Sequence, residues 1–119
     1  MSEIRIYHNP RCSKSRQALS LLEERGVEPQ IIRYLDDPPS AATIEELLDK
    51  LDIEPHDLLR SKEAAYKEAG LSPDSSRAAI VNAIASFPIL LERPVVVRGE
   101  RAVIGRPPER VLDLLGTQP

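Results

Sequence analysis

The sequence predicts an α/β fold, a mixed sheet carrying a helical insertion, and three stretches lead to that expectation. Ile4-Arg5-Ile6-Tyr7 alternates apolar and polar residues as a half-buried strand does, and Ala18, Leu21 and Leu22 then recur at helical spacing. Gln30-Ile31-Ile32-Arg33-Tyr34-Leu35 is rich in β-branched and aromatic residues and follows Pro29, so a second strand comes after that helix. A helix between two neighbouring strands makes the pair parallel. Further on, Pro94-Val95-Val96-Val97-Arg98 and Ala102-Val103-Ile104 are strand-like runs separated by Arg98-Gly99-Glu100-Arg101, the pattern of a tight antiparallel hairpin with Gly99 available for a positive φ.

Taken in order, the first strand is expected over residues 3–7 and the first helix over about 13–25, closed by Gly26 in the left-handed conformation that suits a helix end. The second strand spans 30–35. Asp36-Asp37-Pro38-Pro39-Ser40 then breaks the chain, and either Ser40 or Thr43 caps the next helix, Thr43 and Glu46 standing at capping-box spacing. Ile44, Leu47, Leu48 and Leu51 give that helix one apolar face. The chain stays helix-rich to about Ser86, with breaks at Pro55, Gly70 and Ser72-Pro73 and another apolar face from Ile80, Val81 and Ile84. After the hairpin, Gly105-Arg106-Pro107-Pro108 leads into Val111, Leu112, Leu114 and Leu115, a last helix with a proline near its first position and its end at Gly116. The order is β-α-β, helices, β-β-α.

A chain of 119 residues has room for one core and not for two ordinary domains, so residues 1–119 are expected to form a single domain with a helical insertion at about 40–87. Hydrophobic residues make up 41% of the chain and charged residues 29%, and no run approaches the ~20 apolar residues that span a bilayer, which excludes a membrane protein of the helical kind. The net charge of −3 argues against a nucleic-acid binder held by overall charge. Met1-Ser2-Glu3 lacks the basic-then-apolar run of a secretory signal, and one cysteine cannot close an internal disulfide; a reducing cytoplasm is the expected location.

That cysteine is where chemistry concentrates. Cys12 falls in the turn between the first strand and the first helix, where unpaired N–H groups and the positive end of the helix dipole favour an anion, a thiolate included. A lone cysteine is most often a small buried hydrophobe. Here its neighbours Arg11, Ser13, Lys14, Ser15 and Arg16 are polar, a poor setting for a core residue and a good one for an exposed, low-pKa thiol. His8 is either a general base or a strand-end residue satisfied by the backbone. Cys12-x-x-Ser15 places a hydroxyl where a dithiol pair has its resolving cysteine, so regeneration of Cys12 needs an external thiol. One cysteine with His8 and His56 makes no convincing metal set, and Ala18 stands where a cysteine-phosphatase loop has its arginine.

Tyr7-His8-Asn9-Pro10-Arg11-Cys12-Ser13-Lys14-Ser15-Arg16, followed by Tyr34-Leu35 with Pro38-Pro39, Leu58-Leu59-Arg60, Pro88-Ile89-Leu90, Glu92-Arg93-Pro94-Val95-Val96-Val97 and Gly105-Arg106-Pro107-Pro108-Glu109, resembles the glutaredoxin-dependent arsenate reductase (ArsC) family over almost the whole length, and within it the shorter ArsC-like proteins with a Cys-Ser-Lys-Ser motif. The resemblance implies a thioredoxin-like (glutaredoxin-like) mixed sheet with an inserted helical subdomain. It also implies a nucleophilic Cys12 assisted by His8 and Ser15, and an oxyanion held by Arg60, Arg93 and Arg106 together with Ser13 and Lys14. Arg93-Pro94 is then the place for the cis-proline of such folds. Without the resemblance each arginine would be a solvated side chain, Arg60 pairing with Glu63 for about 0 to 1 kcal/mol.

The implied activity is reduction of arsenate, or a similar oxyanion, with glutathione as co-substrate and glutaredoxin as protein partner; no bound cofactor, metal, nucleic acid or membrane is expected. Two other functions fit the same residues: a glutathione-dependent thiol oxidoreductase acting on mixed disulfides, and a regulator of the Spx type that contacts RNA polymerase. The latter usually switches through a Cys-x-x-Cys pair, which Ser15 interrupts here. The C-terminal residues 116–119 follow the last helix closely, without the longer tail of many resistance-type relatives.

Overall fold

A computed structural model of the chain describes residues 3–115. Four strands form one mixed sheet: β1 (Ile4–His8), β2 (Gln30–Arg33), β3 (Val95–Arg98) and β4 (Arg101–Ile104), in the order β2-β1-β3-β4. β1 runs parallel to β2, with Ile6 opposite Ile31, and antiparallel to β3, with Ile6 opposite Val96. β3 and β4 form the expected hairpin, Arg98 opposite Arg101, and Gly99 turns it with φ of 60°.

The described residues divide into two compact units. The first is made by the described parts of Met1–Tyr34 and Arg93–Pro119 and holds the whole sheet, helix α1 (Ser13–Glu24) and a 3₁₀ helix (Pro108–Leu114). Ile4 and Ile6 of β1, Ala18 and Leu22 of α1, Val96 of β3, and Val111 and Leu114 of the 3₁₀ helix close into one core. A fully buried Leu or Ile is worth about 1.5–3 kcal/mol against its exposed state. The Arg98 Nη1 hydrogen bond to the Leu114 carbonyl, 2.8 Å long, adds only about 1 kcal/mol, so packing fixes α1 on the sheet and polar contacts align its neighbours.

The second unit is Leu35–Glu92 and is helical: α2 (Ala41–Leu51), a 3₁₀ turn (Pro55–Leu58), α3 (Ala64–Glu68), α4 (Arg77–Ser86) and a 3₁₀ turn (Pro88–Leu90). α2 packs on α4, burying Ile44, Leu47, Leu48 and Leu51 on one side and Ile80, Val81 and Ile84 on the other. Arg77 joins the same helices at the surface through Glu45 and Asp49, at 2.6 and 2.9 Å. Of the two candidate caps for α2, Ser40 serves: its Oγ accepts the Thr43 N–H at 3.2 Å, which places Thr43 inside the helix rather than before it.

Some elements differ from expectation. β2 stops at Arg33, and Tyr34 and Leu35 enter the turn that opens the second unit. The last helical segment is 3₁₀ rather than α, and its expected end at Gly116 lies outside the described residues, as do Met1-Ser2 and residues 117–119. α2 ends on Asp52 in the left-handed conformation (φ 54°), a role usually taken by glycine or asparagine and given no signal by the sequence.

Candidate active site around Cys12

The loop between β1 and α1 is built by Asn9. Its carbonyl accepts the Cys12 N–H at 2.9 Å, its Oδ1 accepts the Arg11 N–H at 3.0 Å, and its own N–H donates to Ser15 Oγ at 3.0 Å. Asn-Pro dipeptides open turns in this way, through the short amide side chain. Cys12 is left at the cap of α1 with extended backbone (φ −96°, ψ 123°), and its carbonyl accepts the Arg16 N–H as the first bond of the helix. The cap position turns the thiol toward the open N–H groups of the first turn.

Charge on the sulfur is decided by competing effects. Burial is the largest and pushes the thiol up; the Ser15 N–H, the charge of Arg93, the Lys14 N–H and a hydrogen bond from the Arg93 side chain together outweigh it, so Cys12 sits below the ordinary thiol value. Lys14 acts here through its main chain. The flanking cations expected from the sequence do other work: Arg16 Nη1 donates to the Pro10 carbonyl at 2.9 Å and braces the loop, and Arg11 is exposed. The cation at the sulfur is Arg93, brought from the entry to β3.

His8 and Ser15 form a buried pair beneath this loop. Nδ1 of His8 is 2.6 Å from Ser15 Oγ, with His8 only 6% exposed and Ser15 fully buried. Burial, then the charges of Arg33 and Arg16, hold the imidazole below its ordinary value against an opposing pull from Glu23. The ring is therefore neutral near pH 7 and takes up a proton less readily than a free imidazole. Ser15 thus contributes its N–H to Cys12 and its hydroxyl to His8 and Asn9.

Arg93 precedes Pro94 through a cis peptide bond, as the resemblance implied, and a second cis bond, Arg106-Pro107, had no expectation attached. Arg106 Nη1 donates to the Arg93 carbonyl at 3.2 Å. Arg60 belongs to the second unit, where Nη2 lies 2.6 Å from Glu63 Oε2 and Nη1 lies 3.4 Å from the Ile89 carbonyl. Ser13 is exposed in the first turn of α1 and lines a surface groove of about 440 Å³ along that helix, with Arg16, Glu24 and Glu109. One cation against two carboxylates makes that groove a poor anion site, and neither Cys12 nor Arg93 lines it.

A family model, described as ArsC family, matches residues 7–114. The chain belongs to the ArsC family. The arsenate reductase of Neisseria meningitidis (serogroup A, serotype 4A) is 47% identical to this ArsC chain over 113 residues, covering 93% of it and 97% of the relative. YfgD of Escherichia coli (strain K12) is 49% identical over 116 residues, covering 96% and 98%. Among solved structures, the arsenate reductase from Vibrio cholerae superposes with a TM-score of 0.89 at 45% identity, covering 94% of this chain and 97% of that one. The fold of this ArsC protein is accordingly thioredoxin-like, a mixed four-stranded sheet with helices. Among the described residues no helix is long and apolar enough to cross a membrane.

Proposed function

We propose that this ArsC protein is an arsenate reductase in which the Cys12 thiolate is the nucleophile, glutathione the co-substrate and glutaredoxin the final reductant. The observation that carries the proposal is the setting of Cys12: a thiol at the first turn of α1 whose ionised form is favoured by two main-chain N–H groups and by Arg93. Nearly full-length relatives named arsenate reductase support the same reading.

The chemistry runs through three thiols. The Cys12 thiolate attacks arsenic(V), an S–As bond forms, and one arsenate hydroxyl takes a proton from solvent and leaves as water; His8, neutral and buried beside the loop, assists by holding Ser15, whose N–H favours the thiolate. Arg93 and Arg106 receive the oxyanion, because a guanidinium keeps its charge and offers parallel N–H donors to two oxygens; Arg60 is the further arginine that the family resemblance assigns to it. Ser13 and Lys14 complete the anion site through the first turn of α1. Glutathione then condenses on the arsenic with loss of a second water. Attack by a glutaredoxin thiolate on the glutathionyl sulfur leaves the electron pair of that S–As bond on arsenic, which becomes arsenic(III), and hydrolysis frees arsenite and Cys12. No second cysteine exists in the chain to replace either external thiol.

The test is arsenate-dependent NADPH consumption coupled through glutathione reductase, glutathione and glutaredoxin. Wild type should turn over, Cys12→Ser should fall to background while keeping its fold, and Arg93→Ala and Arg60→Ala should lower kcat/KM for arsenate by about tenfold or more, the loss of one charged hydrogen-bond donor. Turnover of glutathionylated proteins well above that of arsenate would instead make the protein a thiol oxidoreductase.

A further inference from the structure

We infer that Gly105, together with Arg106, is a positioning element that sets Arg93 against the Cys12 sulfur. The route is short and lies within the first unit. Gly105 is buried at the end of β4, and its N–H donates to the Pro94 carbonyl at 2.8 Å. A methyl group on its Cα would stand 2.9 Å from Pro94 Cγ and 3.0 Å from Val111 Cγ1. The first distance is shorter than carbon atoms tolerate and the second stands at that limit, and Val111 is fully buried in the core that packs α1 on the sheet, so it is the Pro94 ring that has to shift. Glycine is therefore needed here for close approach and not for an unusual φ. One residue on, Arg106 Nη1 donates to the Arg93 carbonyl at 3.2 Å.

The dipeptide Arg93-Pro94 is thus held from one side at both of its carbonyls, by Gly105 N–H and by Arg106 Nη1, and from below by direct packing of Gly105 on the Pro94 ring. Arg93 is the cation that acts on Cys12. A guanidinium reaches its partner through a long flexible stem, so the position of its main chain decides how much of its rotamer freedom is compatible with the contact. Moving the Pro94 ring by a few tenths of an ångström swings the Arg93 stem away from the sulfur while leaving every residue of the Cys12 loop unchanged. Arg106 on this account also works on the thiol in the absence of any oxyanion, through the Arg93 main chain, whatever part it plays once the oxyanion is bound.

The experiment reads the thiol directly and needs no substrate. The rate of iodoacetamide alkylation of Cys12 is followed across pH for wild type, Gly105→Ala, Arg106→Gln, Arg93→Ala and the two doubles, Gly105→Ala/Arg93→Ala and Arg106→Gln/Arg93→Ala. Gly105→Ala and Arg106→Gln should each shift the alkylation profile to higher pH, with a rate near neutral pH lower by on the order of threefold, the weakening of one charge-assisted contact. In the Arg93→Ala background the same changes should have no further effect, because the element acts only through Arg93. Additive shifts in the doubles, or wild-type profiles in both singles, overturn the inference. Arg106→Gln introduces no bulk, so the question stays open to measurement even where Gly105→Ala fails to fold. Arsenate turnover does not enter, so the result stands apart from the fate of the proposed reductase activity.

Discussion

At the scale of single residues, Ser15 is the side chain whose place in the structure differs most from its place in the sequence pattern. Cys12-x-x-Ser15 reads as a redox pair with its second sulfur replaced. The hydroxyl is instead fully buried, shared between His8 Nδ1 and the Asn9 N–H. Ser15→Ala removes the common partner of two buried polar groups, and leaving such groups unpaired costs about 1–3 kcal/mol. Urea unfolding should show a loss of that size, and an unchanged midpoint would mean that the His8 and Asn9 groups find other partners. The position of Cys12 at a strand-to-helix turn, and hence the help of main-chain N–H groups, was legible from the local alternation of residues. Arg93 was not, since only tertiary structure gathers a cation so distant in the chain, and the family resemblance supplied what periodicity could not. Gly105 escaped notice because its need for glycine comes from Pro94 and Val111, neither adjacent in sequence.

Among elements, those with strong local signals were read well. α1 begins at Ser13 as expected, and the hairpin turns on Gly99. Weaker signals left alternatives open where local choices compete. Ser40 and Thr43 both suit a helix cap, and Ser40 takes the part because its Oγ is the one that reaches the Thr43 N–H. Ser40→Ala should therefore destabilise the protein by about 1 kcal/mol, whereas Thr43→Ala should cost markedly less, since its N–H remains capped. Chemical denaturation of both variants checks this, and equal losses would return the cap to a shared role. The last helix is 3₁₀, with Pro108, Val111 and Leu114 buried at intervals of three, a spacing that a three-residue turn aligns on one face. An apolar count alone does not separate that spacing from an α-helix.

For the molecule as a whole, protons and chain connectivity set the conditions under which the site exists. Above its ordinary value of about 6.5 the His8 imidazole is neutral folded or unfolded and stability is indifferent to it. As pH falls through that value the unfolded chain binds a proton that the buried, Arg33- and Arg16-flanked ring resists, so stability is lost on acidification. Unfolding free energy followed downward from pH 7 should fall more steeply in wild type than in His8→Gln, and parallel slopes would assign the acid sensitivity to other groups. The sheet adds a temporal consequence. β1 carries the Cys12 loop, but its antiparallel neighbour β3 and the Arg93 before it arrive only after the entire Leu35–Glu92 unit has been made. The charge that Arg93 lends to Cys12 is therefore available only once synthesis has passed the whole of that unit, so the setting of the thiol is among the last features of the chain to be completed.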